Sequence, residues 1–163
     1  MKRFISCILL GMLPIISQAE DHAAHVHGVG QLDIAIEDNK LVIALDGPAD
    51  NLLGFEHAPK TAQEKATLQE VSRKMQDVRK LFVPNASAGC RLSQQTVQMP
   101  EFKASGHSEI EAEYDFVCTA VPQEITLTAW AHFPRYKKMV VNLALPGRQK
   151  QLTLLPGQKL SLK

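Results

Sequence analysis

Apolar and polar residues alternate along "QLDIAIED", placing Leu32, Ile34 and Ile36 on one side of the chain, the period-two pattern of a strand with one buried face. After "DN" at positions 38 and 39 the alternation resumes in "KLVIALDG", so the two segments predict a hairpin. Gly47 and Pro48 in "GPADN" break the pattern and lead into "LLGFEHAP". The period then changes. Leu68, Val71, Met75, Val78 and Phe82 follow one another at steps of three and four, one apolar stripe that predicts a helix from about 61 to 82. Thr61 and Glu64 open it with the spacing of a capping box, and Pro84 with "NASAG" stops it. Within that stripe Met75 reads as a core residue filling a gap and not as a thioether ligand.

Further along, "CRLSQQTVQ" is a strand beginning at Cys90, and "SEIEAEYDFVC" alternates Ile110, Ala112, Tyr114 and Phe116 against Glu109, Glu111 and Glu113. "ITLTAWAHF" alternates Ile125, Leu127 and Ala129 against Thr126, Thr128 and Trp130, which predicts another strand. "FPRYKK" is a turn, and "MVVNLALPG" with "QLTLLPG" predicts a closing hairpin around Pro146 and Gly147. There is no repeat, linker or low-complexity tract. These elements sum to one α+β domain, an antiparallel sheet with one long amphipathic helix on one face.

The first residues carry a different pattern. Lys2 and Arg3 precede an apolar run over 4–16, and Ser17-Gln18-Ala19 supplies small residues at the −3 and −1 positions of a cleavage site. Residues 1–19 therefore read as a cleaved secretory signal peptide, 20–29 as a flexible histidine-containing segment and 30–163 as the domain. Cys7 lies inside the apolar run, away from the cleavage point, which argues against a lipoprotein. The run is too short for a transmembrane helix and no other stretch is longer, so no stable membrane insertion is expected. The leader holds two of the 18 Lys and Arg residues and none of the 17 Asp and Glu, leaving the remainder close to neutral. Nothing in that balance suits nucleic acid or anionic lipid. Cys90 and Cys118 remain, an even count that reads as a disulfide in an exported protein. The alternative, a pair of thiolate metal ligands, lacks any C-x-x-C spacing.

Histidine placement carries the candidate chemistry. "DHAAHVHGVG", residues 21–30, holds three of the six histidines. His25 and His27 are two apart, so in an extended segment their imidazoles project to the same side and can approach one ion at ~2.0–2.1 Å. His22 joins only if the segment bends, and Asp21 adds a carboxylate. Ligands on a flexible tail bind weakly because ordering opposes them, so a tight site needs a partner from the domain. Glu56-His57 in "GFEHAP" is one such candidate. His107 in "SGHSEIEAEY" is the other, with Glu109 and Glu111 on its face. His132, beside Phe133-Pro134, reads as structural. If cleavage follows Ala19, the chain would begin Glu20-Asp21-His22, whose amine, two amides and imidazole can form the square-planar set preferred by Cu(II) or Ni(II). A solvated, inert tail is the plain alternative.

Enzyme readings find no support: there is no H-E-x-x-H helix, no G-x-S-x-G elbow and no phosphate-cradling glycine loop. Both remaining cysteines are expected to be paired, and alternating glutamates on a strand make a solvated face.

Several phrases together carry a resemblance. "HVHGVGQLDIAIEDNKLVIALDGPADNLLGFEHAP", then "AGCRL", "HSEIEAEYDFVC" and "HFP" resemble the ZrgA-like zinc-uptake proteins over most of the chain after residue 19. The resemblance implies a periplasmic Zn(II)-binding protein working beside an ABC-type zinc importer, with a ferredoxin-like α+β core. It also implies that His25, His27, Glu56, His57 and His107 fall on family motif positions. One departure stands out: "VQMPEFKASG" occupies the place where many relatives carry a long histidine- and aspartate-rich insertion, which weakens a storage role but not the core site. Two rivals remain open, a copper or nickel carrier using the Glu20-Asp21-His22 terminus and an interaction domain that recruits a partner at a sheet edge. Because neutral imidazole is the ligand form, metal occupancy is expected to fall as pH drops below histidine's ~6.5 reference value.

Overall fold

The computed structural model describes residues 26–102 and 108–163. Strand β1 (Val29–Glu37) runs into β2 (Lys40–Pro48) through a two-residue turn in which Asp38 takes a left-handed φ of 52°, the conformation tight hairpins demand. Helix α1 (Ala49–Leu53) follows at once, then α2 (Ala62–Gln76), β3 (Phe82–Pro84), β4 (Arg91–Gln98), β5 (Glu109–Val117), β6 (Glu124–Leu127), α3 (Ala129–His132), β7 (Lys138–Leu145), β8 (Arg148–Leu154) and β9 (Lys159–Ser161). Six strands form one sheet in the order β4-β5-β2-β1-β7-β8, and β3-β6-β9 form a small second sheet.

The period-two pattern now shows its purpose. Leu32 faces Leu45 and Ile34 faces Ile43 across the hairpin, Ile43 faces Tyr114 on β5, and Ile34 faces Leu143 on β7. Every one of these side chains is buried, so one face of the large sheet is a continuous apolar surface. Helix α2 lays Val71 and Met75 against it, and the Tyr114 hydroxyl donates a 2.7 Å hydrogen bond to the Met75 carbonyl near the helix end. Phe82 meets the Tyr114 ring edge to face at 5.9 Å, tying the small sheet to the same core.

Four expectations are corrected. The sheet is not wholly antiparallel, because β1 and β7 run parallel; alternation sets which face a residue takes but is silent on strand direction. The arrangement also departs from a ferredoxin-like order, since no helix separates the first two strands, which pair directly as a hairpin. The long helix ends at Gln76: Asp77 is extended, a 3-10 turn spans Val78–Lys80, and Phe82 continues the apolar stripe from a strand. "AWAH", read as strand, is the helical turn α3, with Ala129 buried. There the strand pattern "ITLT" ends after Leu127, and Thr128 donates its hydroxyl to the Arg79 carbonyl at 2.8 Å.

Cys90 and Cys118 are bonded to each other. They flank the outermost β4–β5 pair, in which Arg91 faces Val117, so the crosslink closes the end of that ladder. It encloses a separation of 28 residues, for which chain entropy gives a contribution of ~3–4 kcal/mol. Replacing both cysteines by alanine is expected to lower unfolding free energy by that amount in urea titration while leaving the far-ultraviolet dichroism native.

Candidate metal site at the start of strand β1

The histidine-rich segment reaches the domain as a turn. Val29 N–H donates to the Val26 carbonyl at 3.0 Å, and Gly28 between them takes φ +84°. A glycine is needed at that third turn position, where a side chain would be strained. His27 therefore stands at the crest of the turn, two residues before a central strand, with 57 % of its side chain exposed. The Gly28 carbonyl is held from the far side by the amides of Lys137 (2.7 Å) and Lys138 (3.1 Å), the residues that lead into β7.

Helix α1 supplies what lies under the turn. Asn51, 1 % exposed, accepts the Gly28 N–H at 2.6 Å on Oδ1 and donates from Nδ2 to the Val29 carbonyl at 2.8 Å. Asp50, its neighbour, places Oδ2 3.9 Å from His27 Nδ1 and 3.5 Å from an Arg135 guanidinium nitrogen. Arg135 reaches this point because Tyr136, the next residue, is buried over Gly30 and Gly47, at both of which a Cβ would collide with its ring or hydroxyl.

Past α1 the chain presents Glu56. Its Oε1 lies 3.3 Å from His27 Nε2, with the Glu56 side chain 18 % exposed. The two ring nitrogens of His27 thus face two carboxylates, Nδ1 towards Asp50 and Nε2 towards Glu56. Two donors of a tetrahedral zinc ion at 2.0–2.1 Å stand about 3.3–3.4 Å apart, so one imidazole nitrogen and one carboxylate oxygen are already at the spacing of one tetrahedral edge. A carboxylate behind the other ring nitrogen is a recurring way of orienting a metal-binding histidine. Ser108 ties the neighbouring strand in, donating its hydroxyl to the Glu56 carbonyl at 3.2 Å and accepting the Ala49 N–H at 2.7 Å.

Of the six residues predicted from sequence, the structure brings His27 and Glu56 together. His57 turns the other way: Nδ1 is 3.0 Å from the Ala58 carbonyl, Nε2 is 3.8 Å from Glu64, and the ring stacks on Phe55 at 5.3 Å. His22, His25 and His107 lie outside the described residues, as does the Glu20-Asp21-His22 terminus. Among the described residues no three of His, Cys, Asp and Glu converge as a complete ligand set. Asp50, Asn51, Arg135 and Ser108 were not singled out by sequence reasoning. "GPADN" carries polar residues after the Gly-Pro break, but nothing in the sequence links Arg135, 85 positions beyond Asp50, to them.

A second concavity lies elsewhere. About 670 Å³ opens on the outer face of the large sheet, above Ala35, Val42, Ala44 and Ala144. Three of its polar side chains bond one another, Gln151 donating to Asn142 at 2.8 Å and Asn142 to Asp33 at 2.7 Å, and among the described residues no histidine lines it.

Ordered N/O donors on a turn leading into a mixed α+β sheet domain are what the geometry defines. The chain belongs to the ZrgA family of zinc uptake proteins, whose family model matches residues 24–161, and its role is in zinc uptake. That match runs from the histidine-bearing turn through the last strand. No curated protein matches the chain. Among the described residues no helix is long and apolar enough to cross a membrane.

The cap that opens α2 is pH-sensitive. Glu64 accepts the N–H groups of Thr61 (2.9 Å) and Lys60 (2.7 Å), which hold its carboxyl below the usual carboxylate range. A carboxyl depressed on folding favours the folded state above its ordinary pKa, and that contribution disappears as pH falls through the depressed value. Thermal unfolding of Glu64→Gln and the parent protein should therefore differ at neutral pH and converge in acid. A constant difference across pH 7 to 3 would contradict the assignment.

Proposed function

We propose that the protein captures Zn(II) in the periplasm, with His27 and Glu56 as ligands, and assists its delivery to an ABC-type zinc importer. The observation that carries this reading is the 3.3 Å approach of His27 Nε2 to Glu56 Oε1, a tetrahedral edge formed before any ion arrives. Further ligands are proposed from His107 and His25. His107 adjoins Ser108 in the sequence, and the Ser108 hydroxyl is bonded to the Glu56 carbonyl. His25 precedes His27 by two residues, and His22 is an accessory donor farther out. His57, engaged at the entrance of α2, is assigned a packing role.

The family's role in zinc uptake supports the choice of metal, and the Cys90–Cys118 bond is in keeping with an exported protein whose leader is residues 1–19. Capture without catalysis fits a half-exposed histidine at the protein surface. Transfer to a transporter needs such access, because an incoming ligand must reach the ion before the outgoing one releases it. Copper and nickel are assigned no role in this proposal.

Zinc titration by calorimetry on the metal-stripped protein lacking residues 1–19 tests the proposal. The parent is expected to bind zinc, and His27→Ala or Glu56→Gln to weaken binding by at least about tenfold, the loss that even an outer-sphere substitution brings. His57→Ala is expected to leave zinc affinity unchanged while lowering the melting temperature through loss of the Phe55 stack. A parent that binds no zinc, or variants at His27 and Glu56 that bind as it does, would contradict the assignment.

A further inference from the structure

We propose that Asn51 is the positioning residue of the metal site, fixing the peptide that carries His27 so that the imidazole meets Glu56; this rests on the zinc-binding reading above. The N–H it accepts, at 2.6 Å, belongs to Gly28 and is the amide of the His27–Gly28 peptide bond itself. The carbonyl it donates to, at 2.8 Å, is that of Val29, the first residue of β1. One buried amide therefore grips the turn at both its third and fourth residues, and does so from within the short helix α1.

The same helix turn faces the ring. Asp50 stands 3.9 Å from His27 Nδ1, and Arg135, 3.5 Å away on the same carboxylate oxygen, balances its charge. Consecutive residues thus serve backbone and ring, Asn51 bonded to the peptide and Asp50 facing the imidazole. An exposed histidine on an untethered terminus must lose its freedom when metal binds, and each ordered residue opposes binding. Here that ordering is completed on folding, so the ion meets a preset Nε2 and binding is tighter. Asn51 touches no metal in this account. It acts only through His27.

The prediction separates positioning from mere stabilisation. Asn51→Ala removes both bonds, whereas Asn51→Asp keeps an acceptor for Gly28 N–H and loses the donor to Val29. Three quantities are read in each variant: zinc affinity by competition with a fluorescent chelator, the Gly28 amide signal by nuclear magnetic resonance, and the visible spectrum of the Co(II)-loaded protein at saturation. Asn51→Ala should release the Gly28 amide to rapid exchange, weaken zinc about 10- to 100-fold and change the Co(II) bands. Asn51→Asp should retain the Gly28 bond and recover most of the lost affinity. Should the alanine variant fail to fold, Asn51→Ser, too short to span both groups, takes its place with the same expectations. Parent-like zinc affinity and Co(II) bands in a folded variant with a released Gly28 amide would overturn the positioning role while leaving His27 and Glu56 as ligands. A parent protein that binds no zinc would overturn the site, and this inference with it.

Discussion

The site depends on one buried amide. Asn51 is almost wholly removed from water, and a side-chain amide in that position destabilises the fold unless its donor and acceptor are both satisfied. Its partners are main-chain groups of Gly28 and Val29. The need to pair a buried polar group and the need to place a histidine are therefore met by the same two hydrogen bonds. Because β1 lies between β2 and β7 at the middle of the sheet, the turn before it inherits the rigidity of the core.

The rest of the molecule serves that placement. The β1–β2 hairpin sends the chain back to the end of the sheet where β1 began, so α1 forms beside the turn that precedes β1. Parallel pairing brings the start of β7 to the same end, and with it Arg135 and the amides of Lys137 and Lys138. Tyr136 locks this junction by occupying the space left by Gly30 and Gly47, which is why the Arg135 guanidinium arrives at Asp50. Ser108, at the start of β5, adds the last tether to Glu56. Four chain segments far apart in sequence thus meet around one imidazole.

Much of the sheet was legible because its residues obey a short-range rule. The alternation in β1, β2 and β5 follows from a single buried face, the Thr61–Glu64 cap is a local geometry, and the pairing of the two cysteines follows from their number. What escaped was non-local or ambiguous. The parallel β1–β7 pairing leaves no trace in alternation, and the apolar stripe at Val78 and Phe82 persists even though the chain has left the helix. "AWAH" satisfies a period of two as easily as a single helical turn. For the site, the histidine pattern and the family resemblance pointed to His27 and Glu56, which the fold brings together. Asp50 and Asn51 are not legible in the sequence because their role is defined by partners 22 or more positions away, and Arg135 for the same reason at greater distance.

The central claim is that His27 binds zinc through Nε2, beside Glu56, with Nδ1 kept towards Asp50. Nitrogen-15 magnetic resonance of the imidazole during zinc titration addresses it directly, since the two ring nitrogens give separate signals. The account predicts that one equivalent of zinc shifts His27 Nε2 to a metal-bound position while Nδ1 remains protonated. A His27 ring whose nitrogens are unmoved by zinc, or one bound through Nδ1, would contradict it.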